Sequence, residues 1–156
     1  MMRPIIALAA LGLFATVAPA QEPADPGPRG IAAAERHAVP LTIRTGHGIE
    51  RFQAEVARTP YAQQLGLMYR RHMAARHGMV FPKAHAEPTS FWMKNTYIPL
   101  DLLFIRADGT VSSIAADATP LSTTTIDSVE PVTTVLELNA GAAKRFGIRP
   151  GDRVQW

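Results

Sequence analysis

From Val39 onward the chain is a succession of short apolar runs, each broken within a few residues by glycine, proline or an Asp-Gly pair. Such punctuation leaves no room for long helices and points to strands joined by tight turns. Val39, Leu41 and Ile43 alternate with polar residues, Gly46-His47-Gly48 turns the chain, and Phe52, Ala54 and Val56 alternate again. Residues 39–57 therefore read as a β-hairpin. Thr59-Pro60 follows as an N-cap with proline at the first helical position, and Tyr61, Leu65 and Met68 fall on one helical face. A second short helix is predicted near 70–77, stopped by Gly78.

Further strands are expected at 79–81, 91–93 and 100–105, and Asp108-Gly109 marks another hairpin. Residues 119–131 read as a Ser/Thr/Pro-containing loop and 133–138 as an apolar strand. Asn139 is expected to cap a short helix ending at Gly147. Pro150-Gly151-Asp152 then turns into a last strand at 153–156. The sum is an α+β, mainly β chain: a compact small barrel or sandwich of about seven or eight short strands with two or three short helices. Parallel βαβ units are not expected, because no regular long helices separate the strands.

The first 20 residues have a different character. Arg3 gives a positive start, residues 5–17 are apolar, and Ala18-Pro19-Ala20 has the small-x-small pattern of a cleavage site. The apolar run falls short of the roughly 20 residues a membrane span needs. Residues 1–20 thus read as an export signal, residues 21–37 as a Pro/Gly-rich disordered linker, and residues 38–156 as the folded domain of a periplasmic or secreted protein. The chain has no cysteine, which removes disulfides, thiolate nucleophiles and thiolate metal sites. A formal net charge of +3, reduced by one with Arg3, is too mild to call for nucleic acid. A monomer without cofactor is expected.

Chemistry concentrates in residues 90–105, SFWMKNTYIPLDLLFI. Trp92 stands beside Lys94, Asn95 and Thr96, and Asp101 interrupts an apolar run. Glu137 does the same between Leu136 and Leu138. A carboxylate in an apolar strand needs a partner, since burying it alone is costly. Lys94 and Arg70 are the candidate cations.

Together with GLMYRRHM (66–73), GMVF (78–81), VLEL (135–138) and GIRPGDRV (147–154), this segment resembles the DUF192 (UPF0127) family. The resemblance runs from about Val39 onward. It implies a small β-rich fold with short helices, often behind a signal peptide, and it brings no activity with it. The family's recurring polar positions map onto Arg70, Lys94, Asn95, Thr96, Asp101, Glu137 and Asp152.

Several uses of these residues compete. A cleft around Arg70, Trp92, Lys94, Asn95, Asp101 and Glu137 would suit a small polar or saccharide-like ligand of the cell envelope, with the indole as platform. Asp101 and Glu137 could instead act as the carboxylate pair of a hydrolase, which requires them roughly 5–10 Å apart across a cleft. The same charges could form a buried ion-pair network that only specifies the fold. Met68, Met73, Met79 and Met93 with His72, His77 and His85 raise copper, although close ligand spacing is missing and no metal site is assigned. Asn95-Thr96 and Asp152 also have an ordinary use as turn residues.

Overall fold

The computed structural model describes residues 38–156. The export signal read at 1–20 and the linker read at 21–37 lie outside the described residues. The elements are β1 (Val39–Thr45), β2 (Gly48–Val56), α1 (Pro60–Leu65), β3 (His77–Glu87), β4 (Ser90–Phe91), β5 (Leu100–Ile105), β6 (Val111–Ala118), β7 (Ile126–Asp127), β8 (Val132–Asn139), α2 (Ala142–Arg145) and β9 (Arg153–Gln155). Seven strands form one sheet in the order β6-β5-β8-β3-β2-β1-β9, and β4 pairs with β7 in a small second sheet. The fold is α+β and mainly β.

Turn chemistry sets the local pieces. Thr45 pairs with Gly48, so Gly46-His47 is a two-residue hairpin turn between β1 and β2. Thr59 caps α1 by accepting from the Ala62 N–H at 3.1 Å, and Pro60 opens the helix. Both follow the sequence expectation. Two other elements depart from it. Residues 70–76 form turns and extended backbone rather than a helix, and β3 begins at His77. Asn139 ends β8 and caps no helix; its amide donates to the Met73 and Ala74 carbonyls at 3.1 and 3.0 Å.

The pairing of β2 with β3 is parallel, whereas the other named pairs are antiparallel. A parallel pair needs a crossover, which α1 and the segment after it provide. The expectation that no parallel βαβ unit forms fails at this one pair, because a six-residue helix followed by eleven residues of irregular chain (66–76) is a sufficient crossover. Gly78 lies in β3 between Ala54 and Leu138 rather than stopping a helix. A Cβ there would meet the Glu137 carbonyl at 2.6 Å, so glycine is needed for space.

Both faces of the sheet are covered. On one, Leu41, Ile43, Phe52, Leu103, Leu136 and Val154 pack with Ala142 and Ala143 of α2. On the other, Met79, Phe81, Leu102, Phe104 and Val135 pack beneath Leu67, Met73 and Met93. Double coverage explains why β5 is buried along its whole length and reads as an apolar run broken by Asp101.

The two edges of the sheet approach each other at one end. Val154 N–H donates to the Gly109 carbonyl, and Val111 N–H donates to the Asp152 carbonyl. Thr110 and Arg153 form an isolated bridge there. This seam curls the sheet without a continuous ladder, so no barrel closes. Among the described residues, no helix is long and apolar enough to cross a membrane.

Candidate functional site

Register decides where the charged residues go. Glu55 on β2 lies opposite Met79 on β3, Met79 opposite Glu137 on β8, and Glu137 opposite Leu102 on β5. Residues directly opposite share a face, so Glu55 and Glu137 both point to the side covered by α1. Asp101, one residue before Leu102, points to the other side. The two carboxylates of the hydrolase reading are separated by the sheet and form no pair.

Asp101 is fully buried, and its partners are backbone amides. Its Oδ1 accepts from Asp117 and Gly141 N–H at 3.0 and 3.1 Å, and its Oδ2 accepts from Ala143 N–H at 2.8 Å. It therefore supplies the cap that α2 lacks, since Gly141 at the N-cap has no side chain. A register shift between Leu100 and Leu102 in the β5–β6 ladder brings the Asp117 amide into reach. Lys94 and Arg70 are the cations expected for Asp101 and Glu137; at Asp101 three backbone N–H donors take that place.

Arg70 is buried and grips Glu55 with both ends of its guanidinium, at 2.5 and 2.7 Å. Glu55 was absent from the sequence expectation. A bidentate pair of this kind is the strong form of the ion pair. Arg70 also acts electrostatically on Glu137, holding its carboxyl lower than burial alone would. Burial dominates: Glu137 is raised from 4.5 to about 8. At neutral pH it is therefore a carboxylic acid that can donate a hydrogen bond.

Glu137 opens into a cavity of about 480 Å³. One wall is α1 and the turn after it, with Gln63, Gln64 and Met68. Phe81 and Lys83 of β3 contribute a second wall, and Trp92, Lys94 and Asn95 a third. Of the six expected site residues, Trp92, Lys94, Asn95 and Glu137 line one cavity. Arg70 stands behind it and Asp101 is outside it. Phe91 turns inward against Phe81, ring centroids 5.1 Å apart, while Trp92 is half exposed. Lys94 Nζ lies 5.4 Å from the Trp92 ring centroid.

Two residues with left-handed backbone, Tyr69 (φ 64°) and Asn95 (φ 57°), hold each other, and Asn95 lines the cavity. Tyr69 N–H donates to the Asn95 carbonyl at 2.7 Å, and the Asn95 amide donates to the Tyr69 hydroxyl at 3.0 Å. Non-glycine residues in this conformation are uncommon and persist only where neighbours hold them. The turn role of Asn95 and its place on the cavity wall are thus the same fact.

Met73, Met79 and Met93 are buried core residues, and His72 and His85 are exposed. Among the described residues, no group of three or more His, Cys, Asp or Glu is placed to hold a metal. Asp152 serves its turn, accepting from Arg149 N–H at 2.7 Å.

The family model DUF192, described as an uncharacterized ACR, matches residues 41–156. The chain belongs to the DUF192 family. Its fold is also that of two solved structures. One is a proposed transcription regulator from Sinorhizobium meliloti 1021, 49% identical over 74% of this chain and 91% of that one, with a TM-score of 0.72. The other is a protein of unknown function from Novosphingobium aromaticivorans DSM 12444, 42% identical over 76% of this chain and 85% of that one, with a TM-score of 0.74. No curated protein matches. In this DUF192 protein the motif GLMYRRHM supplies the Arg70 clamp and the Tyr69 clasp, and SFWMKN supplies the opposite wall.

Proposed function

We propose that this protein binds a small polar, hydroxyl-bearing ligand, saccharide-like in its chemistry, in the cavity above Glu137. The observation that carries the reading is the convergence of an exposed indole, amide and hydroxyl side chains and a neutral carboxylic acid on one concave surface. A cavity of about 480 Å³ falls within the range of roughly 300–1,000 Å³ usual for small-molecule sites. Trp92 offers a flat apolar platform. Gln63, Gln64, Asn95 and Thr96 offer donors and acceptors around the wall. Glu137 at the base both donates and accepts while protonated. Among the described residues lining the cavity Glu137 is the one carboxyl, so the two-carboxylate hydrolase arrangement finds no support there.

With residues 1–20 read as an export signal, the ligand is sought in the cell envelope or outside the cell. The regulator description of the Sinorhizobium relative is not carried over. The two described helices, of six and four residues, are too short to read a major groove.

The test is a thermal-shift screen of the purified protein against neutral and charged sugars, amino sugars and small polyols. A ligand at about 100 times its dissociation constant adds roughly 2.7 kcal/mol to stability. A rise in melting temperature that Trp92→Ala removes, in a variant that still melts cooperatively, supports the reading. A flat screen across all classes refutes it.

A further inference from the structure

The cover over the α1 side of the sheet stops short of one edge. Its buried cluster holds no residue of β1 or β9. The side chains that β2, β1 and β9 send to this side, at 40, 42, 44, 49, 51, 53, 153 and 155, are exposed or half-buried. In register, Arg44 stands between Ile49 and Arg153, and Thr42 stands between Arg51 and Gln155. Residues directly opposite share a face, so Arg44, Arg51 and Arg153 emerge together.

None of those positions carries a carboxylate. Glu50 points to the other side and pairs with Arg76. Arg153 donates to the Asp108 carbonyl at 2.6 Å, and the nearby Asp108 carboxyl offsets part of its charge. Arg44 and Arg51 form no ion pair with a described residue. Like charges directly opposite on neighbouring strands repel, so the Arg44–Arg153 pair weakens the sheet it stands on. Anionic groups brought to the array relieve that repulsion.

Shape selects among anionic partners. Val111 and Val154, which meet at the seam, belong to the cluster packed against α2. The sheet therefore curls toward α2, and the arginine face is its convex side. A convex face offers a polymer chain no groove. The cations are also spread in two dimensions: neighbouring strands put Arg44 about 5 Å from Arg153, and the diagonal puts Arg51 about 7–8 Å from Arg44. Ile49, 42% exposed, stands beside Arg44 and adds an apolar contact. Long arginine stems lie along such surface while their heads reach charged groups.

We infer that the outer face of β2, β1 and β9 docks this protein on an anionic lipid bilayer, with Arg44 and Arg51 meeting headgroup phosphates and Ile49 resting between them. None of these residues lines the cavity, so the inference stands apart from the polar-ligand reading.

The test is flotation of the whole protein with vesicles of phosphatidylcholine alone and of phosphatidylcholine with phosphatidylglycerol. Partition onto the anionic vesicles should exceed partition onto the neutral ones by about 30-fold, the attraction of two basic residues for an anionic surface. Most of that excess should disappear in Arg44→Gln/Arg51→Gln and remain in Arg44→Lys/Arg51→Lys, which keeps both charges. It should also shrink as salt is added. The glutamine variant is relieved of like-charge repulsion, so it should melt no lower than wild type, which separates lost binding from lost fold. An excess unchanged in that variant would place the membrane contact elsewhere in the chain and overturn the inference. Equal partition onto both kinds of vesicle would overturn it too. Binding of soluble polyphosphate through Arg44 and Arg51, with no excess on anionic vesicles, would assign the face to a free polyanion and overturn the bilayer.

Discussion

Replacing Glu137 by glutamine should remove a pH-dependent burden on stability. The carboxyl is raised from 4.5 to about 8, with burial as the larger cause and Arg70 opposing it. A group raised in the folded state favours folding fully below its unfolded value and ceases to do so as pH climbs through the folded one. The native protein should therefore weaken progressively from about pH 4.5 to about pH 8, then level off. Taken whole, the displacement corresponds to roughly 5 kcal/mol at about 1.4 kcal/mol per pH decade. Water entering the cavity relieves part of that, so a measurable difference on the order of 3 kcal/mol is expected.

Glutamine keeps the shape and loses the titration. Wild type and Glu137→Gln should have similar midpoints near about pH 5 and diverge above it, with the variant the more stable by roughly 10 °C near about pH 8. The exposed carboxyls of Glu87, Asp108 and Glu130 are held below their ordinary values by Lys83, Thr110 and Ser112, so they titrate under this window. Urea or thermal melts of both proteins across the window, read as a difference, isolate Glu137. Parallel curves with a constant offset would refute the buried neutral acid.

Arg70→Met should destabilise by about 3–5 kcal/mol, because it strands the Glu55 charge. Glu55→Leu combined with Arg70→Met should recover most of that loss in urea melts, and failure to recover would deny the pairing. Asp101→Ala should cost on the order of 3 kcal/mol or more by orphaning three amide donors, with Gly141 and Ala143 amides losing protection in hydrogen exchange. Gly78→Ala should lower the melting temperature by several degrees without changing sugar specificity, since the added methyl meets the Glu137 carbonyl rather than the cavity. For the ligand itself, affinity for the polar ligand proposed here should fall as pH rises through about 8 and Glu137 ionises, and Glu137→Gln should flatten that profile in calorimetry.

Much of the fold was legible because its signals are local. The Thr59-Pro60 start of α1, the Gly46-His47 turn and the Asp108-Gly109 hairpin are each decided by a few adjacent residues. Trp92, Lys94 and Asn95 could be grouped for the same reason, being neighbours in one segment. What was hidden depends on register. Glu55 alternates with Phe52, Ala54 and Val56 and so reads as solvent-facing; only the covering of both sheet faces buries it and makes it the partner of Arg70.

Asp101 correctly demanded a partner, but backbone amides carry no letter in a sequence. Gln63, Gln64 and Lys83 look like ordinary surface polar residues until the crossover sets α1 over β3. The absence of a helix at 70–77 has a cause of the same kind: this stretch is bound through Arg70 to β2 and through its carbonyls to Asn139, contacts that outweigh local propensity.

The seam between Gly109–Val111 and Asp152–Val154 bears on how the protein behaves at high concentration. An open sheet offers rows of unpaired amides to any passing strand, and self-association by edge pairing is the usual hazard. Here the short β9 caps β1 on one side and reaches toward the start of β6 on the other, so one end of each edge is spent within the molecule. Loosening that seam would free the two edge strands, β9 and β6, together and create two sticky margins at once. The handful of hydrogen bonds at Gly109, Val111 and Val154 is accordingly a guard on solubility, set far from the cavity and independent of what it holds.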